Sequence, residues 1–345
     1  MIKENRILLV AITLFLLLPV YGICQTNNID SFYVANWNIE NLFDTSDDPN
    51  VNDSEFLPES DRQWTDDRLL LKIKNLSKVI NFMNNGCGPD VIGFQEVENI
   101  NVLKLLIYQF KDRDYIVVHR DSPDARGIDA ALIYDRNTFD IHSVDTVQVE
   151  LPTHYQTRLI LMVGLIHKKS NSIIHFFVNH WPSRRGGEVK SEANRFAAAS
   201  ALRRKVDSLF SINQNKIIIA GDFNDEPGNK SIRDILGADK IDCNNVSTST
   251  KLYNTAFARF EQGEGSYRFG SDWNMLDQII ISDQFITDKK LKYDCDSFEI
   301  IKPDFIIAKE GEKKGNILPT YSGIKYYGGY SDHFPVGAKF FHMKD

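Results

Sequence analysis

The fold is clearest from Lys216–Pro227, which reads KIIIAGDFNDEP. The apolar and mostly β-branched residues 217–220 predict a strand that is buried on both faces. This strand delivers Asp222 and Asn224 into a turn, so a carboxylate and a carboxamide lie two residues apart at its carboxyl end. Open α/β sheets place their chemistry at such strand ends. Taken alone, the stretch is equally compatible with an ordinary turn rich in Asp and Asn.

The composition is ordinary for a globular protein: 345 residues, 42% hydrophobic and 25% charged. No repeat, linker or low-complexity segment divides the chain, so we expect a single domain over residues 25–345 with a sizeable core. The net charge of −7 argues against broad, sequence-independent binding to nucleic acid through phosphate contacts. It does not exclude a nuclease whose metal ion supplies positive charge locally.

The N-terminus has the pattern of a secretory signal peptide over residues 1–24. A short basic segment precedes an apolar run over 7–20, and cleavage is expected just before Gln25. The run is short for a membrane span, so we expect an exported (periplasmic or secreted) chain with no transmembrane segment. A lipoprotein with Cys24 as the lipidated residue is a weaker alternative, because Ile23 is bulky where a small residue is expected.

Three cysteines, Cys87, Cys243 and Cys295, remain after the predicted cleavage. Three cysteines cannot all pair within one chain, and one disulfide, such as Cys243 with Cys295, is compatible with export. Their spacings do not indicate a metal cluster.

A long acidic loop over 44–66 offers oxygen ligands that could ring a structural calcium ion. The glycine of an EF-hand loop is missing, so a solvated loop is the favoured interpretation. The candidate calcium ligands are Asp47, Asp48, Asn50, Asn52 and Asp53.

Strand patterns outnumber helical patterns along the chain. Apolar runs predict strands, for example over 31–38 and 273–282, whereas apolar residues at helical spacing predict helices over 68–84 and 191–210. Two packed sheets flanked by helices fit this pattern better than one doubly wound sheet. We therefore predict the α/β (α+β) class, as a four-layered sandwich of two packed mixed β-sheets with helices outside.

Oxygen-bearing side chains and two imidazoles follow many of the predicted strands. Such a set suits a hard cation such as Mg²⁺ or Mn²⁺ rather than zinc. A divalent ion near carboxylates and imidazoles is suited to phosphoester hydrolysis, because the metal neutralises phosphate charge while an acid/base group activates water. The set comprises Asn38, Glu40, Glu96, Asp222, Asn224, Asp277 and Asp332, with His180 and His333.

Six segments occur in the order of the endonuclease/exonuclease/phosphatase superfamily, which the chain resembles over about residues 32–341. Members of that superfamily include deoxyribonuclease I, exonuclease III, sphingomyelinases and inositol polyphosphate phosphatases. The resemblance implies a deoxyribonuclease I-like fold. The segments are NWNIEN (36–41), GFQEVEN (93–99), VNHWPSR (178–184), AGDFNDEP (220–227), LDQIIIS (276–282) and YSDHFPV (330–336).

The resemblance implies a metal site in which Glu96 is the principal ligand, with Asn38, Glu40 and Asp332 in the same cluster. Glu40 is the least secure of these, because several members carry a different residue there. The implied metal is Mg²⁺ or Mn²⁺.

The resemblance also implies catalytic roles. Asp222 and Asn224 resemble the pair that orients or deprotonates water and contacts phosphate. His333 resembles the histidine of the terminal motif, and Asp277 resembles the carboxylate that fixes its tautomer. His180 is similar to the second active-site histidine of the deoxyribonuclease I branch, and we expect it to assist the leaving oxygen. Which of these groups is the general base stays open.

The resemblance implies roles for other residues less directly. Arg158 resembles a phosphate-contacting arginine, and Asp129 falls where the related branch has a carboxylate that partners His180. Arg184 could bind substrate beside His180 or lie in a solvated turn, and Trp181 and Arg185 leave the same alternatives open. Four tyrosines could stack on a base or sugar, although packing is favoured for them: Tyr321, Tyr326, Tyr327 and Tyr330.

These observations predict an exported, metal-dependent phosphoester hydrolase, first of all an endonuclease or phosphodiesterase that cleaves nucleic acid. The alternative is a phosphatase or phosphodiesterase for small or lipid phosphoesters, such as sphingomyelin or inositol phosphates. A third alternative is a catalytically idle module that binds phosphate or a partner, against which the intact set of acids and histidines argues. No protein partner is indicated, and a monomer is expected.

Overall fold

Two seven-stranded sheets packed face to face form the centre of the molecule. The computed structural model describes residues 30–244 and 251–343, so the predicted signal peptide lies outside the described ranges. Helices cover the outer face of each sheet, which confirms the predicted four-layered sandwich of the α/β (α+β) class. No helix within the described residues combines the length and the apolar character that crossing a membrane requires.

Strands outnumber α-helices along the described chain, and several strands follow one another without a helix between them. In chain order the strands are β1 (Asp30–Leu42), β2 (Val91–Val97), β3 (Tyr115–His119), β4 (Asp129–Asp135), β5 (Phe139–Val147), β6 (Ile160–His167), β7 (Ser172–His180), β8 (Ile217–Asp222), β9 (Ala238–Lys240), β10 (Leu252–Asn254), β11 (Tyr267–Phe269), β12 (Asp272–Asn274), β13 (Asp277–Ser282), β14 (Leu291–Tyr293), β15 (Glu299–Ile300), β16 (Tyr321–Ser322), β17 (Lys325–Tyr326) and β18 (Val336–His342). The helices are α1 (Asp66–Gly86), α2 (Ile100–Ile107), α3 (Glu188–Ser211), α4 (Phe257–Glu261) and α5 (Gln284–Thr287).

Both sheets are mixed. The first has the order β14-β18-β1-β2-β4-β3, with β15 also pairing with β18, and its β1–β2 pair is parallel. The second has the order β5-β6-β7-β8-β13-β10-β9, and its β7–β8 and β10–β9 pairs are parallel. Strands β1 and β8 are therefore central in their sheets, where both faces are covered.

The alternation of side chains along β1 divides the core into layers. Phe32 and Val34 lie in the core between the sheets, whereas Tyr33 and Trp37 on the other face pack with α1 and α2. Leu202 of α3 packs on the outer face of the second sheet in the same way. The sequence pattern thus assigns each face of a strand to one layer of the sandwich.

The segment predicted as one strand over 273–282 is two strands, β12 and β13, and the prediction was wrong there. The chain changes partners between them: β12 pairs with β11 in a separate hairpin, whereas β13 pairs with β8. Met275 and Leu276 bridge the two and are buried, so their apolar character concealed the break.

Two predictions concern features remote from the strand ends. Cys243 and Cys295 form a disulfide, as the sequence allowed.

In the acidic loop over 44–66, side-chain oxygens accept hydrogen bonds from local backbone N–H groups. Asp53 Oδ2 accepts from Asp48, and Asp48 Oδ1 accepts from Asn50. These bonds engage one oxygen of each carboxylate, whereas Asp53 Oδ1 is buried and has no hydrogen-bond partner among the described residues. The structural calcium ion stays a prediction.

Candidate active site

The predicted site lies where strand ends from both sheets meet. Strands β1 and β2 end there in the first sheet, and β7 and β8 end there in the second. Because β13 runs antiparallel to β8, it begins there, and the turn before β18 closes the same edge. Register places His180 and Asp277 on either side of Asp222.

Asp222 is the centre of the site. Its Oδ2 accepts a hydrogen bond from Asn38 Nδ2 at 3.1 Å and lies 3.8 Å from His180 Nε2 and 3.9 Å from His333 Nε2. Its Oδ1 accepts from the backbone N–H of Asn224 at 2.9 Å. One carboxylate is thus placed between two imidazoles that come from different parts of the chain.

The protonation of Asp222 is finely balanced. Burial raises its pKa to about 7, and the neighbouring Asp277 carboxylate acts in the same direction. His333 and the hydrogen bonds from Asn224 and Asn38 lower the pKa and offset part of this rise. A carboxylate of this kind can accept a proton near neutral pH.

His333 is held in its charged form. Burial alone would lower its pKa, but the Asp277 and Asp222 carboxylates raise the pKa well above its usual value. Nδ1 of His333 lies 2.7 Å from Asp277 Oδ2, which also accepts a hydrogen bond from Ser266 Oγ at 2.6 Å. The Asp277 carboxylate therefore lies within hydrogen-bond distance of the ring nitrogen it was expected to orient, and the orienting role stays a prediction.

The pKa of His180 is shifted in the opposite direction from that of His333. Its Nδ1 is buried without a hydrogen-bond partner, and its Nε2 lies 3.8 Å from Glu96 Oε1. Burial and then the Arg158 guanidinium lower its pKa well below the usual value. The imidazole is therefore neutral at neutral pH.

The expected pairing of Asp129 with His180 was wrong. Asp129 Oδ2 lies 2.8 Å from His119 Nε2, and its Oδ1 accepts from the backbone N–H of Ser122 at 2.7 Å. His119 ends β3, which neighbours β4 in the first sheet, so this closer imidazole takes the carboxylate. With Asp121, these side chains form the group of potential metal-binding residues found within the described ranges, although Asp121 is exposed.

Glu96 and Asn38 lie side by side at the ends of β2 and β1. Asn38 Nδ2 donates to Glu96 Oε1 at 3.4 Å, and Glu96 Oε2 accepts from the backbone N–H of Asn41 at 3.0 Å. Glu96, Glu40 and Asn41 all have positive φ, where the β1–β2 register shifts. Such a bulge re-aims side chains at a sheet edge, and strained residues of this kind cluster at functional sites.

Glu40 faces the loop over 319–330. Its carboxylate oxygens accept the backbone N–H groups of Thr320 at 2.6 Å and Tyr321 at 2.8 Å. Burial raises its pKa to about 7, while Lys72, whose Nζ bonds Thr320 Oγ1 at 2.5 Å, lowers it. Glu40 thus contributes to loop anchoring, and its predicted metal ligation would share these oxygens.

The donor set fits a divalent cation. Asp332 lines the same cleft as Asn38, Glu96 and Asp222. Burial raises the pKa of the Tyr267 hydroxyl to about 12, and the nearby carboxylates of Asp332, Asp222, Glu96 and Glu40 act in the same direction. Carboxylate and amide oxygens in such a cluster match the preference of Mg²⁺ or Mn²⁺.

The predicted substrate-binding residues also lie in this cleft, although the protein engages much of their polar surface. Arg158 donates from Nη2 to the Trp181 carbonyl at 2.7 Å and from Nη1 to Asp124 at 3.2 Å, whereas its Nε is buried without a partner. Arg184 donates from Nε to the Asn224 carbonyl at 2.8 Å. The Asn224 side chain donates to the Trp181 carbonyl at 3.0 Å.

Further lining residues were missed by the sequence analysis. The cleft has a volume of about 750 Å³. The Tyr267 ring lies 4.6 Å from the His333 ring, and the hairpin that carries Tyr267 has no clear strand pattern. In the sequence, only the large aromatic side chain of Phe269 in the same hairpin could have indicated a binding residue. No sequence feature singled out Arg126. The missed residues include Arg126, Ser183, Glu188, Tyr267, Phe269, Asp272 and Asn274.

The four tyrosines pack among themselves and against basic side chains outside the cleft. The rings of Tyr321 and Tyr326 lie 5.2 Å apart, and the Arg68 guanidinium lies 4.1 Å from the Tyr326 ring. None of the four lines the cleft. Trp181 is buried and edge-on to Phe223, so it packs in the core beneath the site.

Solved structures of similar fold cover almost the whole chain. The human Nocturnin catalytic domain with bound sulfate is 17% identical, covers 90% of this chain and 94% of its own, and has a TM-score of 0.55. Truncated TDP2 of Caenorhabditis elegans is 15% identical, with coverages of 90% and 97% and a TM-score of 0.53. The mannosyl-6-phosphatase Bt3783 of Bacteroides thetaiotaomicron is 16% identical, with coverages of 90% and 99% and a TM-score of 0.52. A search of curated proteins found no match.

The sequence itself matches one family model. The model of the endonuclease/exonuclease/phosphatase family matches residues 33–344, nearly the whole chain. Members of this family are phosphoesterases and nucleases, and they generally use a divalent metal. The chain therefore belongs to the endonuclease/exonuclease/phosphatase family of hydrolases.

Proposed function

We propose that this protein is an exported, divalent-metal-dependent phosphodiesterase that cleaves nucleic acid. The observation that carries the proposal is the position of Asp222, a buried carboxylate whose pKa is raised to about 7 between the Nε2 atoms of His180 and His333. A proton acceptor for water and a charged imidazole for the phosphate converge there on one cleft, beside a neutral imidazole, and this combination suits the hydrolysis of a phosphoester.

Asp222 acts as the general base. Water that attacks phosphorus must lose a proton, and an acceptor with a pKa near the working pH serves best. His333 is the less suitable base because it already carries a proton under the influence of Asp277. Asn224 donates its backbone N–H to Asp222 Oδ1 and so fixes the plane of the carboxylate.

The imidazolium of His333 stabilises negative charge on the phosphate, and Asp277 holds its ring in place. His180 contacts the substrate as a neutral hydrogen-bonding group. This changes the role expected for it from the sequence, because a neutral ring with a lowered pKa is a poor proton donor to the leaving oxygen.

Glu96, Asp332 and Asn38 would hold the metal ion, and Glu40 would support them through the loop over 319–330. When bound, the ion supplies positive charge that neutralises the phosphate. Arg158 and Arg184 add positive charge to the walls of the cleft, and Asn224 positions the phosphate beside them.

Nucleic acid is favoured as the substrate by the mixture of side chains around the cleft. Arginines can contact a phosphate backbone, and exposed Phe269 (74% accessible) with Tyr267 offers rings for a base. The N-terminal signal pattern would bring the enzyme to external DNA or RNA.

A small phosphoester, as in a sugar or lipid head group, is the second candidate. A cleft of about 750 Å³ falls within the range of small-molecule sites, and the net charge of −7 disfavours long stretches of nucleic acid.

Hydrolysis of bis-p-nitrophenyl phosphate tests the proposal without assuming a natural substrate. We expect turnover by the wild-type protein with Mg²⁺ or Mn²⁺, abolition by chelator, and a loss of about 10²–10⁴-fold in kcat for Asp222→Asn. The matched control is Asp239→Asn, which removes an exposed carboxylate of the same sheet and should leave the rate unchanged.

Turnover unaffected by Asp222→Asn in a folded protein, or by chelator, would contradict the mechanism. The substrate is then identified by incubating the mature protein with plasmid DNA, RNA, sphingomyelin and inositol phosphates, with and without Mg²⁺. Cleavage of DNA or RNA is expected, and turnover of a small phosphoester alone would favour the second candidate. No turnover of any substrate would favour the idle binding module.

A further inference from the structure

A second pocket adjoins the catalytic cleft across the β11–β12 hairpin. Residue pairing in this hairpin sets Tyr267 opposite Asn274, Arg268 opposite Trp273 and Phe269 opposite Asp272. Alternate pairs of a hairpin face opposite sides.

The two faces of the hairpin line different spaces. Phe269, Asp272 and Asn274 line the catalytic cleft, whereas Arg268 and Trp273 line a separate pocket of about 270 Å³. Tyr267 and Asp332 line both spaces, so the two are direct neighbours. The hairpin is therefore a partition between the catalytic cleft and this second pocket.

Positive charge predominates in the second pocket. Arg268 and Lys313 contribute cationic groups, and Asp332, shared with the catalytic cleft, is the acid among the lining residues. Arg268 Nη1 donates to Asn316 Oδ1 at 2.6 Å, and its Nε is buried without a partner. Within the described residues no carboxylate forms an ion pair with either Arg268 or Lys313, so neither cation has a direct acidic partner in these ranges.

An aromatic wall accompanies the cations. The Arg268 guanidinium lies 5.6 Å from the Trp273 ring, and Lys302 Nζ lies 5.1 Å from the same ring. These contacts hold the half-buried indole at the base of the hairpin. Asn316 and Ser322 add neutral polar groups to the lining.

We propose that this pocket is a second substrate subsite, which binds a further phosphate group of a substrate whose scissile phosphate lies beside Asp222. The proposal rests on the proposed phosphoester hydrolysis and narrows its substrate to compounds with at least two phosphates. Arg268 and Lys313 bind the second phosphate, and Tyr267 separates it from the reacting one. A nucleotide strand and a multiply phosphorylated small molecule share this chemistry.

Two chromogenic substrates that differ by one phosphate test the subsite. Thymidine 5′-(p-nitrophenyl phosphate) and the same compound with an added 3′-phosphate both report release of p-nitrophenol. We expect the added phosphate to raise kcat/KM of the wild-type protein by about tenfold or more, as a charge-assisted contact would. Arg268→Gln should remove most of this gain, and Lys313→Gln should reduce it severalfold.

Lys314→Gln is the matched control, because Lys314 is an exposed neighbour of Lys313 that does not line the pocket. It should retain the full gain. The ratio between the two substrates is measured within each variant, so partial loss of folded protein cancels. Arg268→Lys keeps a positive charge and should retain part of the gain.

The two proposals fail in different ways. No hydrolysis of bis-p-nitrophenyl phosphate by the wild-type protein would count against the proposed hydrolase. Hydrolysis with equal kcat/KM for the two thymidine compounds, or a gain that survives in both Arg268→Gln and Lys313→Gln, would overturn the subsite alone.

A competition assay identifies the carrier of the second phosphate. Thymidine 3′,5′-bisphosphate and an inositol bisphosphate are each compared with the matching monophosphate as inhibitors. Stronger inhibition by either bisphosphate supports the subsite and names the carrier, and equal inhibition by all four compounds contradicts it.

Discussion

His180 and His333 lie at nearly equal distances from one carboxylate, but their pKa values are shifted in opposite directions. Their Nε2 atoms are 3.8 and 3.9 Å from Asp222 Oδ2, and both rings are buried. Nδ1 of His333 contacts Asp277, whereas Nδ1 of His180 has no partner and the ring lies near Arg158. The pKa of His333 is accordingly raised and that of His180 lowered.

The comparison indicates that the group in contact with Nδ1, the nitrogen remote from Asp222, decides the charge of each buried imidazole. Burial lowers the pKa of both histidines, and a carboxylate on the second nitrogen reverses the outcome for one of them. The pKa shifts thereby favour a charged imidazole on the side of β18 and a neutral imidazole on the side of β7 of one cleft.

Replacing Asp277 should have the largest effect on this difference. Asp277→Asn removes the charge that keeps His333 protonated and also permits the wrong tautomer, so we expect kcat to fall by about 10²–10⁴-fold. The measurement is steady-state hydrolysis of bis-p-nitrophenyl phosphate.

Ser266→Ala serves as the comparison variant, because Ser266 donates to the same Asp277 oxygen without supplying its charge. The fall in kcat for Ser266→Ala should be smaller than the fall for Asp277→Asn. Equal losses in the two variants would mean that packing around Asp277, rather than its charge, maintains activity.

Replacing His180 should have an intermediate effect. A neutral imidazole contributes one ordinary hydrogen bond, so His180→Gln should lower kcat/KM by about tenfold, far less than Asp277→Asn. The same kinetic assay measures it. A loss for His180→Gln as large as that for Asp277→Asn would indicate that His180 transfers a proton after all.

The smallest expected effect is on the pH dependence of stability. It involves His175, a buried histidine outside the cleft whose ring has no carboxylate partner among the described residues. Burial lowers the pKa of His175 to about 4. In the unfolded chain its pKa is about 6.5, so the unfolded state binds more protons between these values. Stability from this group is complete above about pH 6.5 and is lost as the pH falls towards 4.

Urea unfolding from pH 7 to pH 4 measures this contribution. His175→Gln should make the fall in unfolding free energy shallower than in the wild-type protein. His154→Gln, at an exposed position, should leave the slope unchanged. A slope that is identical in the wild-type and His175→Gln proteins would contradict the neutral state of this buried ring.

Local sequence predicted the strand ends and most of the acids and imidazoles that meet there. Asp222 follows a run of β-branched residues, and His333 stands in a recognisable motif, so their placement at one sheet edge followed from the pattern. Non-local contacts were less predictable. Asp129 pairs with His119 because β3 and β4 are neighbours, and its own segment does not encode that order.

The residues that form the walls of the cleft could not be predicted from the sequence either. Tyr267 reaches His333 through a three-residue strand, which is too short to show periodicity. Leu276 continues an apolar run and so concealed the change of partner between β12 and β13. The placement of the site's acids and imidazoles was therefore predictable, whereas the hairpin that lines the cleft was not.

Nitrogen-15 NMR of the histidine rings tests the charge difference between His180 and His333 most directly. The metal-free protein is measured near pH 7, and the signals of the two rings are assigned with His180→Gln and His333→Gln variants. We predict a doubly protonated ring for His333 and a singly protonated ring for His180. A neutral His333, or a charged His180, would contradict this account of the cleft.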